Sequence, residues 1–362
     1  MAESDFPVPV STLPGEAARA PVQGLDAGRR ESLCRAGALA LGGLAMTLGG
    51  PAAAQNAART VLRVSTPAVP DDWHARMWTV FRQSLETAAP GAFDVQIHLS
   101  GTLFKQGAEP SAMARGNLEL AALSAADLAR RVPEFGVFTA GYTLRDPAHQ
   151  RQVFDGPIGE ALYRRVTAEM DIVPLATLYL GTRQLNLRDA RNVRTPADLK
   201  GLKLRMPASR EWLFLGEALG ATAMPLAFGE VYLALKTGTI DAQDNPLPTV
   251  RAAKFHEVTR QIVLTSHLVD GLVIAVSAKA WQALDERGRA HVRTAARAAV
   301  DFNNENRLKE EAELVAFFRQ QGLQITTPDV DAFRRAVRQA YAGSDIGRAW
   351  PAELAERIAA TR

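Results

Sequence analysis

A single cysteine, Cys34, stands in the 362 residues, so no disulfide framework closes within the chain, and cysteine-rich zinc and iron–sulfur sites are excluded. An excess of one charge is also missing. The 42 Lys and Arg against 39 Asp and Glu leave a net +3, too mild and too dispersed for the footprint of a nucleic-acid binder. No apolar run is long enough for a multi-span membrane protein. The six histidines, at 74, 98, 149, 256, 267 and 291, form no i,i+4 pair and no H-E-x-x-H. A Gly-rich phosphate loop and a G-x-S-x-G elbow are absent as well, so nothing calls for a metal, a cofactor or a catalytic machine. Internal repeats and low-complexity linkers are lacking too. What remains is ordinary globular sequence, 47% hydrophobic, long enough for two domains at about 150 residues each.

The N-terminus reads as an address. Arg29 and Arg30 precede an uncharged stretch at 36–48, which ends at Gly49-Gly50-Pro51 before Ala52-Ala53-Ala54. This is a twin-arginine signal pattern over residues 1–54, with cleavage expected ahead of Gln55 and export to the periplasm. The uncharged stretch is too short for a bilayer of about 30 Å, so no stable membrane insertion is expected after cleavage. Twin-arginine signals usually carry Phe or Leu and then Lys where this chain has Ser32, Leu33 and Cys34; the pattern fixes export better than its route. Cys34 leaves with the signal, and the mature chain has no thiol.

Beyond the signal, residues 61–66 alternate as a strand, and residues 73–88 place Met77, Trp78, Phe81 and Leu85 at helical spacing. Residues 93–99 alternate again, and 118–123 form a short apolar strand before Ser124 and a helix. This order predicts a parallel sheet with helices on its faces, the α/β class. Further strands are expected at 172–179, 202–206 and 262–265, with short helices at 212–219 and 230–235. From 289 to 321 apolar residues recur at helical spacing, predicting a helix of about 50 Å that touches both domains.

The strongest local charge bias lies at 181–210, with six Arg and two Lys against two Asp. Arg188, Arg191, Arg194 and Lys200 read as a solvated face. Arg205 differs. It sits at the carboxyl end of a strand that Pro207 stops, where open α/β sheets hold ligands, and its planar fork grips a carboxylate with two parallel hydrogen bonds. A second constellation runs from Phe228 to Pro246. Phe228 fits a core position or an apolar wall, and Asn245 fits a turn before proline or a polar ligand contact.

Several ordered segments, GTRQ at 181–184, LKGLKLRMP at 199–207, FGEVYLAL at 228–235 and DAQDNPL at 241–247, resemble the substrate-binding proteins of tripartite ATP-independent periplasmic (TRAP) transporters. RVPEF at 131–135 and KFHEV at 254–258 extend the resemblance over nearly the whole mature chain. It implies a two-lobed periplasmic-binding-protein fold, with residues 57–180 plus 269–308 as lobe I, residues 181–268 plus 309–362 as lobe II, and a long helix spanning both. An organic acid would be enclosed between the lobes and passed to membrane permease subunits, with no chemistry done on it. Arg205 would pair with the carboxylate, Arg183 would be a second cleft arginine, Asn245 a polar contact and Phe228 an aromatic wall.

Departures from the family pattern bear on the ligand. Ser100-Gly101-Thr102-Leu103-Phe104 replaces Ser-Gly-Gln-Leu-Gly and brings Lys105 nearby. Ser124 stands where sialic-acid-binding members have an acidic residue, and Pro67 replaces an early Asn, which disfavours sialic acid. Trp212, Trp73, Lys105 and Ser124 complete the candidate contacts, with Trp212 equally suited to a core and His74 a weaker candidate. The expected ligand is a hydroxy, keto, sugar or aromatic acid, and dicarboxylates stay open. The same features fit two other readings: a periplasmic ligand sensor of this fold, and an exported hydrolase or oxidoreductase.

Overall fold

Strand and helix alternate at the start of the chain as the periodicity predicts: β1 (Thr60–Ser65), α1 (Trp73–Ala88), β2 (Phe93–His98), α2 (Glu109–Ala114), β3 (Leu120–Ser124) and α3 (Ala125–Ala129). The coordinates are a computed structural model that describes residues 59–362, and the expected signal segment lies outside the described residues. Helix α1 starts where the sequence places it. The Asp72 carboxylate accepts from the His74 amide at 2.9 Å, and Met77, Trp78, Phe81 and Leu85 turn into the core.

After helix α4 (Pro157–Met170), the remaining strands are β4 (Ile172–Leu187), β5 (Lys203–Met206), β6 (Thr222–Pro225), β7 (Ala242–Pro246), β8 (Gln261–Ser277) and β9 (Gln324–Thr326). They join β1–β3 in one sheet of order β2-β1-β3-β8-β4-β7-β5-β6, with β9 beside β8. The parallel pairing expected from the βαβα order holds at the two ends, β1 with β2 and β3, and β5 with β6 and β7. The centre differs: β3–β8, β8–β4 and β4–β7 are antiparallel. Strands β4 and β8 run 16 and 17 residues, about twice and four times the expected spans, and link the half of the sheet that holds β3 to the half that holds β7. This is a two-lobed α/β architecture whose lobes are joined by long strands.

The crossing strands bend at bulges. Register shifts fall between Tyr179 and Gly181 and between Arg183 and Leu185. Gly181 takes φ +128°, and a Cβ there would lie 2.4 Å from Pro246 Cβ, so a side chain is excluded by conformation and by contact. A bulge frees backbone groups from the ladder, and these are satisfied by the long helix α5 (Glu286–Gln320). Asn303 Nδ2 donates to the Tyr179 carbonyl at 2.8 Å, Asn304 Oδ1 accepts from the Tyr179 amide at 2.8 Å, and Glu311 accepts from the Thr182 amide at 2.9 Å. Arg307 donates to the Leu180 carbonyl.

Helix α5 is 35 residues, about 52 Å at 1.5 Å per residue. Asp285 caps its start by accepting from the Gly288 amide at 2.7 Å, so the glycine that looks like a breaker sits inside the first turn. Val292, Ala295 and Ala299 pack with β1, β2 and α1, whereas Leu314 and Phe318 pack with Leu235, Val250 and Phe255. The helix therefore contributes to two separate cores.

Candidate functional site

Between these cores lies a narrow cavity of roughly 70 Å³. One wall comes from residues 67–127, including Pro67, His74, Gln106, Glu109, Ser124 and Asp127. The other comes from Arg183 at the β4 bulge, Pro207, Trp212, Phe228 and Asn245, with Thr249 just after β7. The sheet topology explains the convergence, since β1, β3, β5 and β7 all present their carboxyl ends to this gap.

Arg205, on β5, stands directly behind the lining and is 1% exposed. Its Nε donates to the Leu226 carbonyl at 2.8 Å and its Nη2 to Gln106 Oε1 at 2.9 Å, and its guanidinium lies 6.0 Å from the Phe228 ring centre. Among the described residues no carboxylate forms an ion pair with it. Burial pulls its pKa down to about 9; Asp244 opposes that shift, Arg183 adds to it, and Glu230 opposes it more weakly. The group keeps its proton at neutral pH and is left as a buried cation short of a counter-charge.

Arg183 is the contrast. It is 4% exposed, lies 4.3 Å above the Trp212 ring, and is neutralised from within: Nε donates to Asp270 at 2.7 Å and Nη1 to Asp244 at 3.2 Å. Nη1 also reaches the Asp244 carbonyl at 2.9 Å and Asn245 Oδ1 at 3.4 Å, which orients Asn245 toward the cavity. Burial works against ionised Asp244, but Arg183 and a contact from His267 outweigh it and hold the carboxyl below its usual range. Strand β7 is polar yet wholly buried because its side chains close this network.

Asp72 and Arg307 form a third buried pair, with Thr249 donating to Asp72 Oδ2 at 3.1 Å. Here α5 secures the start of α1 beside the cavity. His74 faces the same space, and burial pushes it down to about 4, so it is neutral throughout the physiological range.

The wall carried by α2 and α3 is acidic. Ser124 and Asp127 form a capping box in which Ser124 Oγ and its amide donate to Asp127 Oδ2 at 2.7 and 3.1 Å. Burial raises the Asp127 pKa despite those bonds. Glu109, 5% exposed, accepts from the Gly107 amide at 2.8 Å, and burial pushes it up to about 7, with Asp127 adding repulsion.

The structure thus gathers Arg183, Trp212, Phe228, Asn245 and Ser124 around one cavity, with Arg205 behind it. Two sequence candidates fall elsewhere. Lys105 is exposed, because the loop turns its neighbour Gln106 inward instead. Trp73 points away: its Nε1 donates to Glu310 at 2.6 Å on α5, and its ring packs against Phe302.

The model of the DctP family, "Bacterial extracellular solute-binding protein, family 7", matches residues 65–345. The chain belongs to this family. A TRAP periplasmic solute-binding protein of Roseobacter denitrificans, solved with bound 3-deoxy-D-manno-oct-2-ulosonic acid (KDO), is 42% identical with a TM-score of 0.80 over 84% of this chain and all of that one. A second from R. denitrificans, solved with L-galactonate, is 26% identical with a TM-score of 0.77, covering 83% and 99%. The sialic acid-binding periplasmic protein SiaP of Vibrio cholerae is 29% identical over 306 residues, 84% of this chain and 95% of that protein.

As a family 7 solute-binding protein of TRAP type, the chain presents three cavity residues that sequence reasoning did not single out: Gln106, Glu109 and Asp127. Glu109, next to Pro110 at a helix start, has the pattern of an exposed first-turn acid, and only the chain's path buries it. The S-x-x-D spacing of Ser124 and Asp127 is a local signal that could have found Asp127, as part of a capping box. Among the described residues no helix is long and apolar enough to cross a membrane, and no cluster of three His, Cys, Asp or Glu could hold a metal ion.

Proposed function

We propose that this family 7 protein is the periplasmic receptor of a TRAP transporter, which encloses an organic acid between lobes at 57–180 plus 269–308 and 181–268 plus 309–362 and delivers it to membrane permease subunits. It binds and releases its ligand unchanged. The carrying observation is Arg205, a buried guanidinium beside a cavity, with no carboxylate of its own. A ligand carboxylate supplies the missing charge, and closure strengthens the bond by excluding water. Arg183, stacked on Trp212 and paired with two aspartates, shapes the wall and orients Asn245, while Phe228 covers the Arg205 side. The KDO and L-galactonate complexes of related proteins support an acid as ligand.

Calorimetry with KDO and L-galactonate tests this reading. Arg205→Ala is expected to weaken binding at least about a hundredfold, roughly 2.7 kcal/mol, and Arg205→Lys also binds poorly because the fork is lost. Unchanged affinity in both variants, or a co-purified solute without an acidic group, overturns the assignment.

A further inference from the structure

Among the described residues, two ionisable groups at the cavity form no ion pair. Arg205 is one, and Glu109 is the other. Asp72 is answered by Arg307, Arg183 by Asp244 and Asp270, and Asp127 has Arg130 at 3.8 Å and two bonds from Ser124. The Glu109 carboxyl, 5% exposed and lining the cavity, is met by backbone amides of its own turn, the Gly107 amide at 2.8 Å among them, and feels Asp127 as a like charge. Among the described residues it makes no ion pair.

We infer that Glu109, backed by Asp127, sets the class of ligand: it hydrogen-bonds a hydroxyl of the part remote from the carboxylate and rejects a second carboxylate, so the protein selects hydroxylated monocarboxylates over dicarboxylates. The inference rests on the receptor reading above and deepens it. Arg183 is already neutralised by Asp244 and Asp270, so Arg205 is left to accommodate one carboxylate. A second would enter a water-poor wall already holding two carboxyls, and such like-charge contact is how a site excludes a near relative of its ligand. An ammonium would match an ionised Glu109, but the surroundings favour a hydroxyl. Ser124, Asn245 and Thr249 are neutral donors and acceptors on the same lining, and burial makes Glu109 hold a proton readily, so it can either donate to a hydroxyl or accept from one.

The test is calorimetry at neutral pH with four probes: L-galactonate, KDO, the dicarboxylate galactarate and 6-aminohexanoate. Wild type is expected to bind the better hydroxy monoacid at least about a hundredfold more tightly than galactarate, and Glu109→Gln to shrink that ratio at least about tenfold, mainly by improving galactarate. Asp127→Asn shifts the ratio in the same direction and serves as the second variant if Glu109→Gln does not fold; the wild-type ratio needs no variant. A wild-type ratio near one, a ratio indifferent to both substitutions in folded protein, or tighter binding of 6-aminohexanoate overturns the inference. If the acids bind through Arg205 and only the ratio fails to respond, the receptor reading survives. If no acid binds, or Arg205→Ala changes nothing, both fall.

Discussion

Gln106 Oε1 accepts from Arg205 Nη2 at 2.9 Å and from the Phe228 amide at 3.1 Å. A neutral amide oxygen from one wall thus occupies two donors of the other, in the positions suited to one oxygen of a carboxylate. The contact also ties the loop after β2 to β5 and to the turn before residue 231, so it bridges the two walls. A charged acceptor at the same place would be held more strongly, since charge-assisted bonds are roughly twice as strong as neutral ones.

Gln106→Glu is therefore expected to act as a built-in ligand. Its carboxylate would neutralise Arg205, raise the melting temperature of the ligand-free protein by a few degrees, and weaken organic-acid binding at least about tenfold. Thermal melts paired with calorimetry check this. A variant that melts lower and binds as tightly as wild type contradicts it.

On the proposed reading, Arg205 is expected to contribute to binding at the expense of stability. Among the described residues its buried charge has no ion pair, and an apolar side chain of similar length removes the cost of keeping that charge out of water. Arg205→Met loses bonds to Leu226 and Gln106, yet its ligand-free melting temperature is expected to lie within about 2 °C of wild type or above it. Any upward shift that an organic acid produces in wild type should vanish in this variant. A drop of ten degrees in the ligand-free protein would show that Arg205 holds the fold together.

Arg183 is expected to behave in the reverse sense. Removing it strands Asp244 and Asp270, both buried, and breaking a buried pair from one side costs about 3–5 kcal/mol. Arg183→Lys should recover little, because an ammonium cannot serve both carboxylates while lying flat on Trp212. Urea denaturation measures the loss. A cost below about 1 kcal/mol for Arg183→Ala contradicts the structural role.

What the sequence made legible depended on how far each feature was local. Helix α1 obeys one period from Trp73 to Ala88 and carries its own cap at Asp72, so its span could be read residue by residue. Strands β4 and β8 could not. Gly181 in one and Asp270-Gly271 in the other look like breaks, but they sit at bulges or in the buried polar network, where α5 and the partner strand satisfy them. The same holds at the cavity. Arg205 was legible because Pro207 marks the strand end, and Trp212 and Phe228 follow within the same α/β pattern. Gln106 was not, because whether a loop residue or its neighbour points inward depends on contacts with residues about a hundred positions away, at Arg205 and Phe228.

Glu109 also leaves a signature in the pH dependence of stability. Its ordinary value is 4.5, and burial raises the folded value to about 7. Between those pH values the folded chain keeps a proton that the unfolded chain gives up, so this group makes stability fall as pH rises, by up to about 1.4 kcal/mol per pH unit, and adds no further change above pH 7. Glu109→Gln removes the effect together with its repulsion of Asp127, while contributions from Asp270 and Glu311 remain in both proteins and cancel in the difference. The melting temperature of the variant minus that of wild type should therefore be smallest near pH 4.5, grow through pH 6, and level off by pH 8. A difference that stays flat from pH 4.5 to 8 would mean that the Glu109 carboxyl is solvated in the folded protein and ionises as it does in water.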